Sequence, residues 1–202
     1  MIEISENLVW IDCEMTGLNV EKDSLVEVGV VVTNSELEIL DQGFTVVIKP
    51  RPESLAGMND FVTNMHTESG LINELADGLE IGEAERQVID YIKKFVPNEK
   101  EAPLAGNSIG TDRMFINRYM PNLDSYLHYR NIDVSSLKEL TRRWYPRVYF
   151  QLPKKDGGHR ALADIRESIQ ELRYYRKTVM VEAPGPSTEE AKRAADSLEA
   201  DN

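Results

Sequence analysis

The sequence predicts one α/β domain: a mixed sheet flanked by helices on both faces. Three observations carry that reading. Three apolar, β-branched stretches with short connections open the chain, beginning "NLVWI", "SLVEVGVVVTN" and "LEILDQGFTVVIKP". Helical patterns then alternate with short apolar strands, and strands followed by such alternation form a sheet covered on both sides. The length of 202 residues, with 41% hydrophobic and 29% charged residues, suits one globular domain with a sizeable core.

The elements follow in order. Leu8, Val9, Trp10 and Ile11 are strand formers. Residues 24–34 form a second strand ending at the turn "NSE", and 37–50 a third, so an antiparallel meander is expected. Pro50 and Pro52 end it. Residues 53–66 read as a mixed, helical stretch. Residues 82–97 are an amphipathic helix, with Ala84, Val88, Ile92 and Phe95 on one stripe and Pro97 as the stop. Residues 102–108 read as a buried strand, and 110–120 as a helix stopped by Pro121. Residues 131–146 read as a strand, a Ser N-cap and a helix that Pro146 stops. A loop over 146–158 precedes a long last helix, 159–179. The domain is expected to span residues 1–180. Residues 181–202, rich in Pro, Ser, Ala and acids, read as a disordered acidic tail.

Charge is uneven. The net charge is −12. Residues 1–127 carry 9 bases and 23 acids, a net of −14, whereas residues 128–160 carry 8 bases and 3 acids, a net of +5. An acidic chain argues against coating long double-stranded nucleic acid, while its basic segment could build a local anion site. No apolar run reaches membrane-spanning length, and "MIEISENLVW" lacks the features of a secretory leader. The single cysteine, Cys13, excludes an internal disulfide and fits a reducing, cytoplasmic setting.

Acids in the first strand raise the functional question. Asp12 and Glu14 alternate with Cys13, so they share one strand face about 7 Å apart. Two like charges there repel and are costly to bury unpaired. Asp112 stands where a helix begins, and Asp164 lies on the last helix, five residues after His159. On a continuous helix those two side chains would diverge by roughly 140°, so they can face one site only if His159 sits on the "GGH" loop. Hard cations such as Mg²⁺ prefer carboxylate oxygens, and a pair of them can assist phosphodiester cleavage. Such chemistry needs several acids from different elements and a nearby base.

Asp-x-Glu on the first strand, Asp at a mid-chain helix start and His-x₄-Asp on the last helix resemble the DEDDh 3′→5′ exonuclease superfamily. The blocks "LVWIDCEMTGL", "MHTESGL", "AGNSIGTDRMFINRYMP", "HYRNIDVSSLKELTRRWYP" and "GGHRALADIRESIQELRYYR" resemble its oligoribonuclease family over residues 8–176. That resemblance implies a ribonuclease-H-like fold, a homodimer, and cleavage of very short RNA to 5′-mononucleotides with two divalent ions, Mg²⁺ or Mn²⁺. It implies that Asp12, Glu14 and Asp164 hold the first ion. Asp12 also serves the second, which Asp112 supports, and His159 is the general base. It further implies that Leu18 wedges between the two bases and that Phe61, where many members carry Trp, stacks on a base. His66 would contact sugar or phosphate. Ser108, Arg130, Ser135 and Ser136 would cap a 5′ phosphate, and Tyr129 would reach across the dimer.

Three other readings compete. A DEDDh exonuclease acting on longer RNA or DNA ends would need a long basic surface. An inactive binding module would lack one of the acids, and all four are present. A small-molecule metallophosphatase would not need Leu18 and Phe61.

Overall fold

Leu8–Met15 (β1) and Leu25–Thr33 (β2) pair antiparallel at the heart of the sheet. All nine residues of β2 are buried, as expected of a strand covered on both faces. Phe44–Val47 (β3) extends the meander antiparallel beside β2. Pro103–Gly106 (β4) then pairs parallel with β1, and His128–Asp133 (β5) parallel with β4. The five strands lie in the order β3-β2-β1-β4-β5. This computed structural model describes residues 5–154 and 158–200.

Pro52–Ala56 (α1), Asp60–Glu68 (α2) and Ile81–Lys93 (α3) connect β3 to β4. Two short 3₁₀ turns, Leu71–Asn73 and Leu75–Asp77, lie between α2 and α3. Ile109–Tyr119 (α4) and Pro121–Tyr126 (α5) connect β4 to β5. Val134–Trp144 (α6), Pro146–Tyr149 (α7), Ala161–Thr178 (α8) and Thr188–Ala200 (α9) follow. The sheet divides the core in two. On one face Val9, Ile11 and Cys13 pack with Val88, Ile92 and Phe115 from α3 and α4. On the other, Trp10 and Val31 pack with Val134 of α6 and Ile165 and Ile169 of α8. The mixed, two-sided sheet expected from the sequence is the one the chain forms.

Some local expectations change. The N-cap of α6 is Asp133, not a serine: its carboxylate accepts the Ser135 N–H at 2.9 Å. The 146–158 stretch begins with a helical turn, α7, because Pro146 at its first position is preset for a helix. The 181–202 segment carries α9, started by a capping box in which Ser187 Oγ accepts the Glu190 N–H and Glu190 accepts the Ser187 N–H. Its described side chains are exposed.

The strand alternation places the site. On its α8 face, β1 presents Trp10, which is fully buried, and then Asp12 and Glu14. The face therefore turns from core to carboxylate toward the end of β1. Parallel β4 runs the same way, and only Asn107 and Ser108 separate it from α4. The carboxyl ends of parallel strands are where open α/β sheets form their crevices.

Candidate active site

Oxygens of Asp12, Glu14 and Asp164 lie within 4.8 Å of one another. They come from β1 and the first turn of α8, so two elements far apart in sequence converge. The start of α8 at Ala161 leaves His159 outside the helix and Asp164 inside it. His159 is exposed, with a backbone φ of 45°. Asp112 approaches from α4: its Oδ1 accepts the Cys13 N–H at 2.9 Å. The β4 pairing covers only Val9 and Trp10 of β1, so the Cys13 N–H has no strand partner there and takes the carboxylate instead.

The cluster is electrostatically unfavourable on its own. Burial, joined by Asp112, Glu14, Asp164 and Glu27, pushes the Asp12 carboxyl up to about 9. Burial also pushes Glu14 up to about 8, with Asp164, Glu27 and Asp112 adding to it and Arg160 opposing. Asp112 rises to about 7 through burial, against the lowering effect of its bonds to Cys13. Carboxylates near pKa 4 in water are thus shifted toward their neutral forms. A divalent cation reverses that preference, and the all-oxygen donor set suits a hard one. Cys13 lies on the opposite face, buried in the core.

The residues expected to bind substrate differ in their exposure and partners. Leu18 is 76% exposed and Phe61 is 74% exposed. The turn carrying Leu18 is braced by Asp23, which accepts from Asn19 N at 2.8 Å and Thr16 Oγ1 at 3.3 Å. A Cβ at Gly17 would lie 2.5 Å from Asp23 Oδ2, so a larger residue there would push that bracing carboxylate aside. His66 packs beneath the surface. It is fully buried, and its Nε2–H donates to the Met15 carbonyl oxygen at the end of β1 at 2.8 Å.

Ser108 and Ser135 come together, with their hydroxyl oxygens 3.0 Å apart. Ser136 is exposed at the start of α6. The Ser108 and Ser135 N–H groups both donate to Asp133, and Ser135 Oγ also accepts the Ser108 N–H at 2.8 Å. Asn107 joins the pair to α8: its Oδ1 accepts from Ser135 Oγ at 3.1 Å and its Nδ2 donates to Ser168 Oγ at 2.8 Å. Arg130 lies over the Tyr129 ring at 5.5 Å, and both residues are exposed on β5.

Sequence reasoning missed Glu27, Asn107, Asp133 and Arg160. Glu27 had a signal: it is an acid inside the apolar run "LVEVGVVV", the same anomaly that marked Asp12 and Glu14.

The fold and the convergent acids fit the exonuclease class, whose fold typically works with divalent metals. The exonuclease family model matches residues 9–172. The chain belongs to the oligoribonuclease family of these exonucleases. It is 58% identical over 195 residues to the oligoribonuclease of Leifsonia xyli subsp. xyli, covering 96% of this chain and 94% of that one. It is 59% identical over 181 residues to that of Cutibacterium acnes, covering 90% of each. Against that of Streptomyces griseus the identity is 54% over 197 residues, covering 98% of each. Among solved structures, exonuclease I of Methylocaldum szegediense superposes with a TM-score of 0.62 at 18% identity, over 86% of this chain and 41% of that one. The zinc-bound E. coli ExoI–ssDNA complex gives 0.64 at 12% identity, over 87% and 41%. These likenesses concern the fold alone. No helix among the described residues is long and apolar enough to cross a membrane.

Proposed function

We propose that this exoribonuclease removes nucleotides from the 3′ ends of very short RNAs, dinucleotides above all, releasing 5′-mononucleotides. The observation that carries the reading is the convergence of Asp12, Glu14 and Asp164 within 4.8 Å in a chain of this family. These acids with Asp112 would hold two divalent ions, Mg²⁺ or Mn²⁺, which supply activation of water and neutralise the leaving oxygen.

The chain's own residues do the rest. His159, exposed and five residues before Asp164, takes a proton from the attacking water as that oxygen bonds to phosphorus. The bond from phosphorus to the 3′ oxygen breaks, and that oxygen gains a proton to become the new 3′-hydroxyl. Leu18 and Phe61 hold the bases by apolar contact and stacking. The Ser108, Ser135 and Ser136 hydroxyls and Arg130 close around a 5′ phosphate, which limits substrate length.

The active form we propose is a cytoplasmic homodimer. Tyr129, Trp144 and Phe150 are exposed between β5 and α7, and exposed aromatics of this kind are enriched in interface cores. With that pairing, Tyr129 and Arg130 of one protomer enter the site of the other.

The test uses purified protein and 5′-labelled RNAs of two to seven nucleotides, with and without Mg²⁺, resolved by length. Metal-dependent cleavage fastest on the dinucleotide is the expected result. Faster cleavage of the longer RNAs, or of single-stranded DNA, would favour an enzyme of longer ends.

A further inference from the structure

A fifth carboxylate faces the acid cluster without being one of the three that lie within 4.8 Å. Glu27 on β2 is directly opposite Glu14 in the antiparallel register, so the two share a sheet face. Its side chain is 2% exposed, and both oxygens are already committed. Oε1 accepts from Arg160 at 2.8 and 3.1 Å and from Thr45 Oγ1 at 3.2 Å. Oε2 accepts the Ala161 N–H at 3.1 Å. Arg160 is the N-cap of α8 and makes no side-chain cap of its own, so Glu27 caps the helix from across the sheet.

The same guanidinium reaches a second carboxylate. It donates to Glu74 at 2.7 and 3.2 Å. Glu74 lies between the two 3₁₀ turns that follow α2. One side chain therefore ties together β2, the segment after the helix bearing Phe61, and the start of α8. It does so at the residue next to His159, whose φ of 45° lies in the left-handed region, uncommon for a residue with a Cβ.

We propose that Arg160 is the positioning residue for His159. Gripped by Glu27 and Glu74, it fixes the chain at the residue after the base and so sets where the imidazole can reach. The guanidinium also pairs with Glu27, which holds that acid against the start of α8. Lysine cannot replace it, because a point charge cannot form two forked contacts at once. This inference rests on His159 being the base.

The experiment compares Arg160→Lys, Arg160→Gln and Glu27→Gln, each alone and combined with His159→Ala, in the full chain. For the single variants kcat on a dinucleotide should fall about 10–100-fold, the scale of a misplaced catalytic group, while KM and calorimetric Mn²⁺ affinity stay within about threefold. Adding His159→Ala should cost little more than His159→Ala alone, because Arg160 acts through that residue. Losses that simply multiply, or a kcat within about threefold of wild type, would overturn the proposal.

A metal-free readout separates this idea from the base assignment. The chain has three histidines, and His66 and His128 are buried. The NMR signals of the exposed His159 imidazole should move toward random-coil values in Arg160→Lys. Unmoved signals would overturn the clamp, whatever the activity. Moved signals beside a fully active His159→Ala would leave the clamp standing and remove His159 as base. If Arg160→Gln does not fold, Glu27→Gln, which keeps an acceptor and the shape, carries the same test.

Discussion

The Asp112 carboxylate and the Cys13 backbone N–H are joined by a 2.9 Å hydrogen bond, which locks an acid from α4 against the strand that carries Asp12 and Glu14. The bond gives Asp112 two separable roles, as acceptor and as charge. Asp112→Asn keeps an acceptor oxygen, so thermal stability should stay near wild type while cleavage collapses. Asp112→Ala also leaves a buried N–H unpaired, which costs about 1–3 kcal/mol. Thermal denaturation and dinucleotide cleavage measured on both variants check this. Equal melting points for the two would mean that the bond contributes nothing.

Protons and cations compete for the same oxygens. Asp12 at about 9 and Glu14 at about 8 lie above the values these groups have in an unfolded chain. The metal-free folded state therefore binds more protons than the unfolded one between about pH 4 and pH 9, and its stability falls as pH rises through that window. Saturating Mg²⁺ should flatten the decline. Calorimetry in buffers of different ionisation enthalpy should register proton release on Mg²⁺ binding at pH 7, and affinity should rise with pH. Metal binding without proton release would contradict the raised carboxyls.

Much of this arrangement was legible in the sequence. The alternation around Cys13 was enough to put Asp12 and Glu14 on one face, and the Gly-Gly-His stretch before an apolar helical pattern separated His159 from Asp164. What escaped depended on register and turn geometry. Glu27 gains its meaning only when β2 pairs with β1 and sets it opposite Glu14. Asp133 outcompetes the serines as cap because its carboxylate accepts two N–H groups, one from Ser108, which is remote in sequence. His66 lies inward because α2 turns that face toward the end of β1, a direction that no local pattern specifies.

Phe61 should be tunable. Stacking one base on an aromatic side chain is worth about 1–3 kcal/mol, so Phe61→Ala should lower kcat/KM about 5–150-fold. Phe61→Trp offers a larger face and should lower KM with kcat little changed. The side chain is 74% exposed, so neither change should disturb the core. Steady-state kinetics on a dinucleotide decides, and an Ala variant with wild-type kcat/KM would take Phe61 out of the site.

The shared-site dimer makes the most discriminating prediction. Tyr129 is 74% exposed and carries Arg130 across its ring, an arrangement a lone chain leaves in water. Tyr and Arg are the residue types on which interfaces most depend. A twofold pairing uses the same surface on both chains, and an obligate interface should bury more than about 2,000 Å². Tyr129→Ala should then lose activity even where light scattering shows it dimeric, and Asp12→Ala should be inactive. Mixed dimers of the two have one site with intact acids facing an intact tyrosine and one site with neither. Random exchange in an equimolar mixture makes half the dimers mixed, each with one working site, so activity should recover to roughly a quarter of wild type. Exchange demonstrated by mass spectrometry without recovery would place Tyr129 in its own chain's site, because each inactive half would then have stayed inactive in every pairing.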